Sequence, residues 1–495
     1  MTTSSPSTLV VVTDPEDWPS SMPDVGVVSS RDYLTQPEHA ARTGVRVINL
    51  CRNYRYQRAG YYVSLLGLAR GHRPVPTLAT IQEAKSSTVL RMLSDEVEEA
   101  ALTVLAGCDD SEVVLHIYFG RESQGRFQPL AKALFGRLPL PLMRAVFSRI
   151  ERRDSWALTS CSALELRSIP AEDAPVLSAA LESFLQRRTK VTRPDVARYD
   201  LAILVDPREE EPPSDEEALR RFAAAGVAEG FAVEFIDRDD YARIAEFDAL
   251  FIRETTAVNH RTFRFAQRAA KEGLVVIDDP ESILRCTNKV FLAEVLRRRG
   301  IPSPKTMVAH RGNLGEVLAE IGLPCVLKQP DSSFSQGVVK AEDRDAFEEA
   351  TRSLLRRSDL IVAQAFMPSA YDWRIGVLSN EPIYACKYFM ARRHWQIIRR
   401  DEGDREEGGV ETVPVEAVPI SIMETALAAA AVMGDGLYGV DLKEVDGKAY
   451  VIEVNDNPSI DAGYEDALLG DGLYRRIMAD LRRRLDHSRR GKRTS

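Results

Sequence analysis

Three residues, Asp441, Glu453 and Asn455, have the types and spacing of a metal site. They lie in GVDLKEVDGKAYVIEVNDNP, where Asp446-Gly447 marks a tight turn between two extended runs. Pairing of those runs brings Asp441 beside Glu453. Glu453 and Asn455, two apart on one strand, face the same side. Two carboxylates and an amide oxygen on one surface are hard ligands, of the kind Mg²⁺ takes together with phosphates. An edge hairpin with outward charges is the plain alternative. Against it, Glu453 interrupts an apolar Val-Ile-Glu-Val run, where a carboxylate needs a partner or a metal.

Cations come next. Lys328 closes the run Cys325-Val-Leu-Lys and precedes Asp331-Ser-Ser-Phe-Ser-Gln-Gly337. An ammonium beside a small-residue hairpin can hold a phosphate as a point charge while backbone N–H groups cradle it; a surface lysine before a turn is the simpler alternative. Lys289, after Thr287-Asn288 at a helix start, is the weaker case. Lys387 lies within Tyr384-Ala-Cys-Lys-Tyr-Phe, an apolar and aromatic strand in which an ammonium wants an anion. In Asp372-Trp373-Arg374 the alternation puts Asp372 and Arg374 on one face, where they are either a site or an ordinary cross-strand ion pair. Gly434-Asp-Gly436-Leu-Tyr-Gly439 reads G-x-G-x-x-G, but it follows a helix and enters a strand, the reverse of a dinucleotide site. No Walker A sequence is present.

The elements that must position these residues come in three stretches. In the first, 1–190, residues 9–13, 45–50, 113–119 and 156–166 read as strands, with a helix after Gly60 and an Arg/Tyr cluster at 52–58 that suits an anion, a partner protein or plain packing. The second, 195–285, is a small open α/β unit. It has strands at 200–206, 232–236, 249–252 and 274–277, a helix at 215–229 with Ser214 as its N-cap, and a helix at 260–272. The loop 207–213 reads as a surface turn. The third, 286–485, has a helix Lys289–Arg299 stopped by Gly300, strands at 325–328, 360–365, 373–378 and 383–390, a charged loop at 399–409, and a helix at 421–433 before the Asp441/Glu453 hairpin. A basic tail, 486–495, closes the chain.

The 495 residues are 44% hydrophobic and 28% charged, an ordinary globular balance. The net charge of −9 argues against a dedicated nucleic-acid binder. Six scattered cysteines without a C-x-x-C pair suit a reduced compartment. Neither a secretory signal nor an apolar span of membrane length is evident, so a cytoplasmic protein without membrane or nucleic-acid partners is expected.

Taken together, residues 286–485 resemble the ATP-grasp superfamily, and within it the RimK-like ligases. The resemblance is carried in order by Asn288-Lys289, Gly300-Ile-Pro-Ser-Pro304, 324–328 with its loop, Gln364-Ala365-Phe366, Asp372-Trp-Arg374, Asp441, and Glu453-Val-Asn455. Stretch 195–285 looks like the pre-ATP-grasp domain, and 45–80 resembles an extra domain found at the N-terminus of some RimK-like proteins. The resemblance implies an α/β architecture in which an ATP-grasp module of two α+β subdomains follows two smaller α/β domains. It further implies that Lys289 and Lys328 hold the phosphates of ATP, and that a loop with Ser332, Ser333, Ser335 and Gly337 covers them. Gln364, Ala365 and Phe366 would meet adenine, and Asp372 the ribose. Asp441, Glu453 and Asn455 would hold Mg²⁺ or Mn²⁺, two ions in all. Arg374 and Lys387 would steady the transferred phosphoryl group. Two features depart from the family pattern: Ser332, Ser333, Phe334 and Ser335 replace much of the glycine-rich phosphate loop, and Ala365 stands where relatives usually carry Glu.

The activity implied is amide-bond formation through an acylphosphate. The carboxylate acceptor would be a small molecule, a peptide or a protein C-terminus, and the donor an amino-acid amine, with glutamate resting on the resemblance alone. An ATP-grasp phosphotransferase and a non-catalytic ATP-binding protein are the alternatives. A homo-oligomer is compatible with the sequence.

Overall fold

The computed structural model describes residues 8–494 apart from 20–21, 24, 43–44, 85–94, 109, 151–154, 187–196, 332–336, 391–397 and 402–403. The chain folds into two compact units. The first comprises residues 1–192 together with a short later segment, 239–246. It holds a parallel sheet in the order β2-β1-β3-β4, built from β1 (Thr8–Val12), β2 (Val27–Ser29), β3 (Arg46–Leu50) and β4 (Arg73–Val75). An antiparallel sheet, β6-β5-β7-β8, uses β5 (Glu112–Tyr118), β6 (Arg121–Glu122), β7 (Leu142–Ile150) and β8 (Ser155–Ala163). Strands β1 and β3 are buried along almost their whole length, as parallel strands covered on both faces must be. The later segment packs on this core through Ala242 and through Glu246, whose carboxylate pairs with the buried guanidinium of Arg46. That guanidinium also lies 4.0 Å from the centroid of the Phe184 ring.

The second unit contains three principal sheets. A parallel one, β10-β9-β11-β12, is formed by β9 (Tyr199–Leu204), β10 (Phe231–Ile236), β11 (Ala249–Ile252) and β12 (Val275–Ile277). The helix Glu216–Ala228 packs on it through Ala218, Phe222 and Ala225. Its N-cap is Asp215, which accepts from Ala218 N at 2.7 Å, and not Ser214. Ser214 is diverted to tertiary bonding: its hydroxyl donates to Ile460 O at 2.8 Å and accepts from Arg253 at 2.8 Å. Arg253, 1% exposed, also donates to Pro213 O, to Pro458 O at 2.9 Å and to Asn457 Oδ1 at 2.6 Å. The loop 207–213 is therefore more than a surface turn, and the Glu209 carboxylate in it accepts from Thr255 N at 3.1 Å. Arg253→Ala strips four buried acceptors of their donor at once, so a loss of about 2–5 kcal/mol is expected. Urea unfolding of the second unit's transition reads it.

The second sheet, β13-β16-β14-β15, is antiparallel and comprises β13 (Thr306–Ala309), β14 (Cys325–Lys328), β15 (Val338–Ala341) and β16 (Ile361–Ala365). The third, β21-β18-β17-β22-β23, is built from β17 (Tyr371–Leu378), β18 (Glu381–Phe389), β21 (Val410–Val413), β22 (Leu437–Val445) and β23 (Lys448–Asp456). Alternation decides its two faces. Trp373, Ile375, Val377, Val440 and Leu442 pack on the helix Ile420–Met433 through Ile422, Ala426, Ala429 and Ala430. Their neighbours in sequence, Asp372, Arg374, Asp441 and Lys443, are left for the opposite face. The expected charged loop at 399–409 contains a small hairpin, with β19 (Ile398–Asp401) antiparallel to β20 (Asp404–Glu407). The basic tail continues the helix Asp471–Thr494. Among the described residues no helix is long and apolar enough to cross a membrane.

Candidate functional site

The hairpin β22–β23 turns at Asp446 and Gly447, both at positive φ (52° and 71°), the conformation that an Asp-Gly pair accepts most readily. Its register sets Asp441 directly opposite Glu453 and Gly439 opposite Asn455. A register shift after Asp441 leaves Ile452 without a partner. This bulge lets Val451 and Val454 both reach the core while Glu453 and Asn455 share the other face. Asn455 donates from Nδ2 to Asp441 Oδ2 at 3.1 Å.

Strand β17 lies beside β22 with Arg374 opposite Asp441. The guanidinium donates from Nε to Oδ1 at 2.7 Å and from Nη2 to Oδ2 at 2.8 Å, a bidentate fork. Its other face covers the ring of Tyr388 at 4.8 Å. Burial works against the charge on Arg374, but the fork with Asp441 outweighs it and holds the guanidinium's pKa well above its ordinary value.

Lys289 opens the helix Lys289–Arg299, which Asn288 caps by accepting from Val290 N and Phe291 N. The helix ends at Gly300 (φ 65°), a left-handed terminus that glycine takes without strain. The cap residue's amide also donates to Asp331 Oδ1 at 2.8 Å, tying the helix start to the loop after β14. Lys289 Nζ reaches Glu453 Oε1 at 2.9 Å. Burial pushes the Glu453 carboxyl up, yet Lys289 and Lys328 together outweigh it and keep its pKa below the usual value. Lys328 ends β14 at 9% exposure, and burial lowers its pKa to about 8; Glu453 pulls upward, Lys289 and Lys443 downward.

A cavity runs between these groups, lined by Lys289, Leu292, Leu296, Lys328, Val362 and Gln364. Gln364 Nε2 donates to Thr306 Oγ1 at 3.0 Å. The N–H groups of Ala365 and Phe366 are already engaged, by Lys305 O at 2.8 Å and Pro324 O at 3.2 Å. The Phe366 ring lies 4.2 Å from Lys340 Nζ. Gly337 has φ 66° and its carbonyl accepts from Gln329 N at 2.9 Å, closing the base of the serine-bearing loop. Ser332, Ser333 and Ser335 lie outside the described residues.

Lys289, Lys328, Gln364, Asp372, Arg374, Asp441, Glu453 and Asn455 thus come together around one sheet face and its cavity. Lys387 does not join them. It is paired directly opposite Trp373, the neighbour of Arg374, and so takes the other face. There it lies 5.0 Å from the Tyr371 ring and 5.1 Å from the Trp373 ring, with Glu411 Oε2 at 3.9 Å. The anion that the Lys387 ammonium required is Glu411, and two π faces add to it.

Two groups here went unforeseen. Lys443 Nζ lies 2.6 Å from Asp372 Oδ1 and 2.5 Å from Ser369 Oγ. Tyr388 stacks under Arg374 and donates its hydroxyl to the buried Glu465. Lys443 carried a usable signal, being two residues from Asp441 and so on its face. Tyr388 carried none, because an aromatic in a buried strand reads as core.

Two carboxylates and an amide on one face fit a hard divalent cation. In this structure Arg374 balances Asp441 and Lys289 balances Glu453.

Residues 286–468 match the model of the RimK-like ATP-grasp domain, and residues 30–180 that of the RimK-like ATP-grasp N-terminal domain. The chain is 31% identical over 138 residues to an alpha-aminoadipate–LysW ligase, LysX, from Saccharolobus solfataricus, covering 27% of this chain but only 50% of that relative. It is 28% identical over 276 residues to a probable alpha-L-glutamate ligase from Vibrio vulnificus, covering 50% of this chain and 85% of the other. Among solved structures, a RimK domain ATP-grasp protein from Sphaerobacter thermophilus aligns at 20% identity and a TM-score of 0.43, over 57% of this chain and 97% of that one.

Proposed function

Because the chain belongs to the RimK-like ATP-grasp family, through domains at 30–180 and 286–468, we propose that it is an ATP-dependent carboxylate–amine ligase. The observation that carries this reading is the meeting of Lys289, Lys328 and Arg374 with Asp441, Glu453 and Asn455 on one face. Cations able to hold a polyphosphate and oxygens able to hold a metal occupy the same ground.

In this reading Lys289 and Lys328 hold the phosphates, Gln364 and its neighbours bound the adenine pocket, and Asp372 meets the ribose. Asp441, Glu453 and Asn455 hold Mg²⁺ or Mn²⁺, two ions, and the bound metal would neutralise phosphate charge as it does in phosphoryl transfer generally. The acceptor carboxylate attacks the γ-phosphorus, the bond to the β-phosphate oxygen breaks, and ADP leaves. An amine then attacks the acyl carbon of the resulting acylphosphate, expels inorganic phosphate and gives up a proton. Arg374, held by Asp441 and Tyr388, faces the charge that develops on the transferred group. The relatives' names support an amino acid as donor, with glutamate a candidate; the acceptor carboxylate belongs to a small molecule, a peptide or a protein C-terminus.

The test is phosphorus NMR with Mg-ATP, an amino-acid pool and a peptide fraction. Release of ADP and phosphate only with amine and acceptor together, and transfer of ¹⁸O from a labelled carboxylate to phosphate, are expected. A phosphoester formed without amine would make the protein a phosphotransferase; ATP bound but unchanged throughout would make it a binding protein.

Lys328 gives the reading a pH signature. With a pKa of about 8, its ammonium is lost as pH rises through that value. Phosphate binding favours the charged form, so Mg-ATP affinity should fall above pH 8, by up to about tenfold per pH unit. In Lys328→Arg, charged throughout this range, that dependence should vanish. Calorimetry at pH 7, 8 and 9 checks it; a wild-type affinity flat across the range removes Lys328 from the phosphates.

A further inference from the structure

Lys443 has no part in the roles described above, yet it is bonded to both Asp372 and Ser369. It stands two residues beyond Asp441 on β22, on the same face. Its Nζ is 2.6 Å from Asp372 Oδ1 and 2.5 Å from Ser369 Oγ, and the Ser369 hydroxyl in turn donates to Asp372 Oδ1 at 3.0 Å. Both charged side chains are 12% exposed. Three groups therefore form a closed triangle, and two of its bonds end on one oxygen of Asp372.

Two consequences follow from charge and geometry. Asp372 and Lys443 both act on the charge of Lys328, so all three share one electrostatic neighbourhood with the cavity. A bare carboxylate there would repel an incoming polyphosphate, and Lys443 cancels it. Fixing Oδ1 by an ammonium and a hydroxyl also fixes the direction of Oδ2. A carboxylate oxygen so held is an acceptor for sugar hydroxyls, and the neutralisation lets it take that part without opposing the phosphates.

We propose that Lys443, with Ser369, is a positioning residue that holds Asp372 for the nucleotide's ribose and so makes the site selective for a ribonucleotide. The proposal rests on the ATP site proposed above. The readout is nucleotide binding to the full chain, which needs neither ligase substrate.

Calorimetry with Mg-ATP and Mg-2′-deoxyATP should give a wild-type preference for ATP of about 10–100-fold, the span of a hydrogen bond to a charged group. Lys443→Met should abolish most of that preference and weaken ATP, while Lys443→Arg restores it. Ser369→Ala, which removes only a hydroxyl, should cost part of it and serves if Lys443→Met fails to fold. Lys443→Met combined with Asp372→Asn should be no worse than the poorer single variant. A preference retained in Lys443→Met and Ser369→Ala, an additive double variant, or a wild type indifferent to the 2′-hydroxyl would each overturn the proposal. Wild type that binds neither nucleotide removes both the proposal and the ATP site. ATP binding with intact selectivity but no ligation in the NMR assay removes the ligase reading and leaves the role of Lys443 standing.

Discussion

Arg374→Ala should lower turnover by about 10²–10³-fold while Mg-ATP affinity stays within about threefold. The separation follows from where the guanidinium is anchored. Its fork is spent on Asp441 and its face on Tyr388, so it is preorganised and does not depend on substrate to find its place. The cavity proposed for adenine is lined chiefly by β14, β16 and the helix Lys289–Arg299, with Val451 and Ile452 of β23, and Arg374 is not among its lining residues. Removing it leaves Asp441 buried without its main cation, and breaking a buried pair costs about 3–5 kcal/mol in stability. The melting temperature must therefore be measured beside the kinetics. Arg374→Lys keeps a charge but loses both the fork and the stack, so it should recover only part of the lost rate. Equal losses of rate and nucleotide affinity in the alanine variant would make Arg374 a structural residue.

Glu453→Gln should raise the Mg²⁺ concentration for half-maximal activity by about tenfold or more, because the proposed ligand would change from an ionised group to a neutral one of the same shape. Burial alone would drive this carboxyl towards neutrality, and Lys289 with Lys328 overturns that. Glu453 is thus kept ionised by the groups proposed to bind phosphate. The substitution also releases the Lys289 ammonium from its 2.9 Å contact. Nucleotide binding without metal should therefore be unchanged or slightly tighter, whereas binding with Mg²⁺ weakens. That opposite movement separates a metal ligand from a residue that merely shapes the pocket. Activity titrated against Mg²⁺, with ATP affinity measured with and without it, reads both. An unaltered Mg²⁺ dependence would sink the metal assignment.

Much of the site was legible because its signals are local. The helix Lys289–Arg299 announces its ends with an Asn cap and a Gly stop. The hairpin announces itself with Asp-Gly, and period-two alternation then gathers Asp441, Glu453 and Asn455. The failures are of another kind. Lys387 reads in the sequence as a site residue because an ammonium in an apolar strand needs an anion; Glu411 and two aromatic rings meet that need on the other face. Which face it takes depends on its pairing with Trp373, a register set by a neighbouring strand and invisible in its own sequence. Ser214 and Asp215 are both good caps by residue type, and the choice was made by Arg253 and Ile460, which claim the serine from afar. Lys443 was overlooked for the converse reason, since its partner Asp372 is 71 residues away along the chain.

The return of residues 239–246 to the first unit has a bearing on how this protein can be divided. The chain leaves that unit, enters the second, comes back for eight residues and departs again. A cut at the obvious junction near 192 would not yield two self-sufficient pieces. The N-terminal piece would keep Arg46 and lose Glu246, leaving a desolvated guanidinium beside Phe184. The C-terminal piece would carry Ala242 away from the core it packs on and Glu246 away from Arg46. Gene fusion or exchange at that point should therefore cost stability in both products.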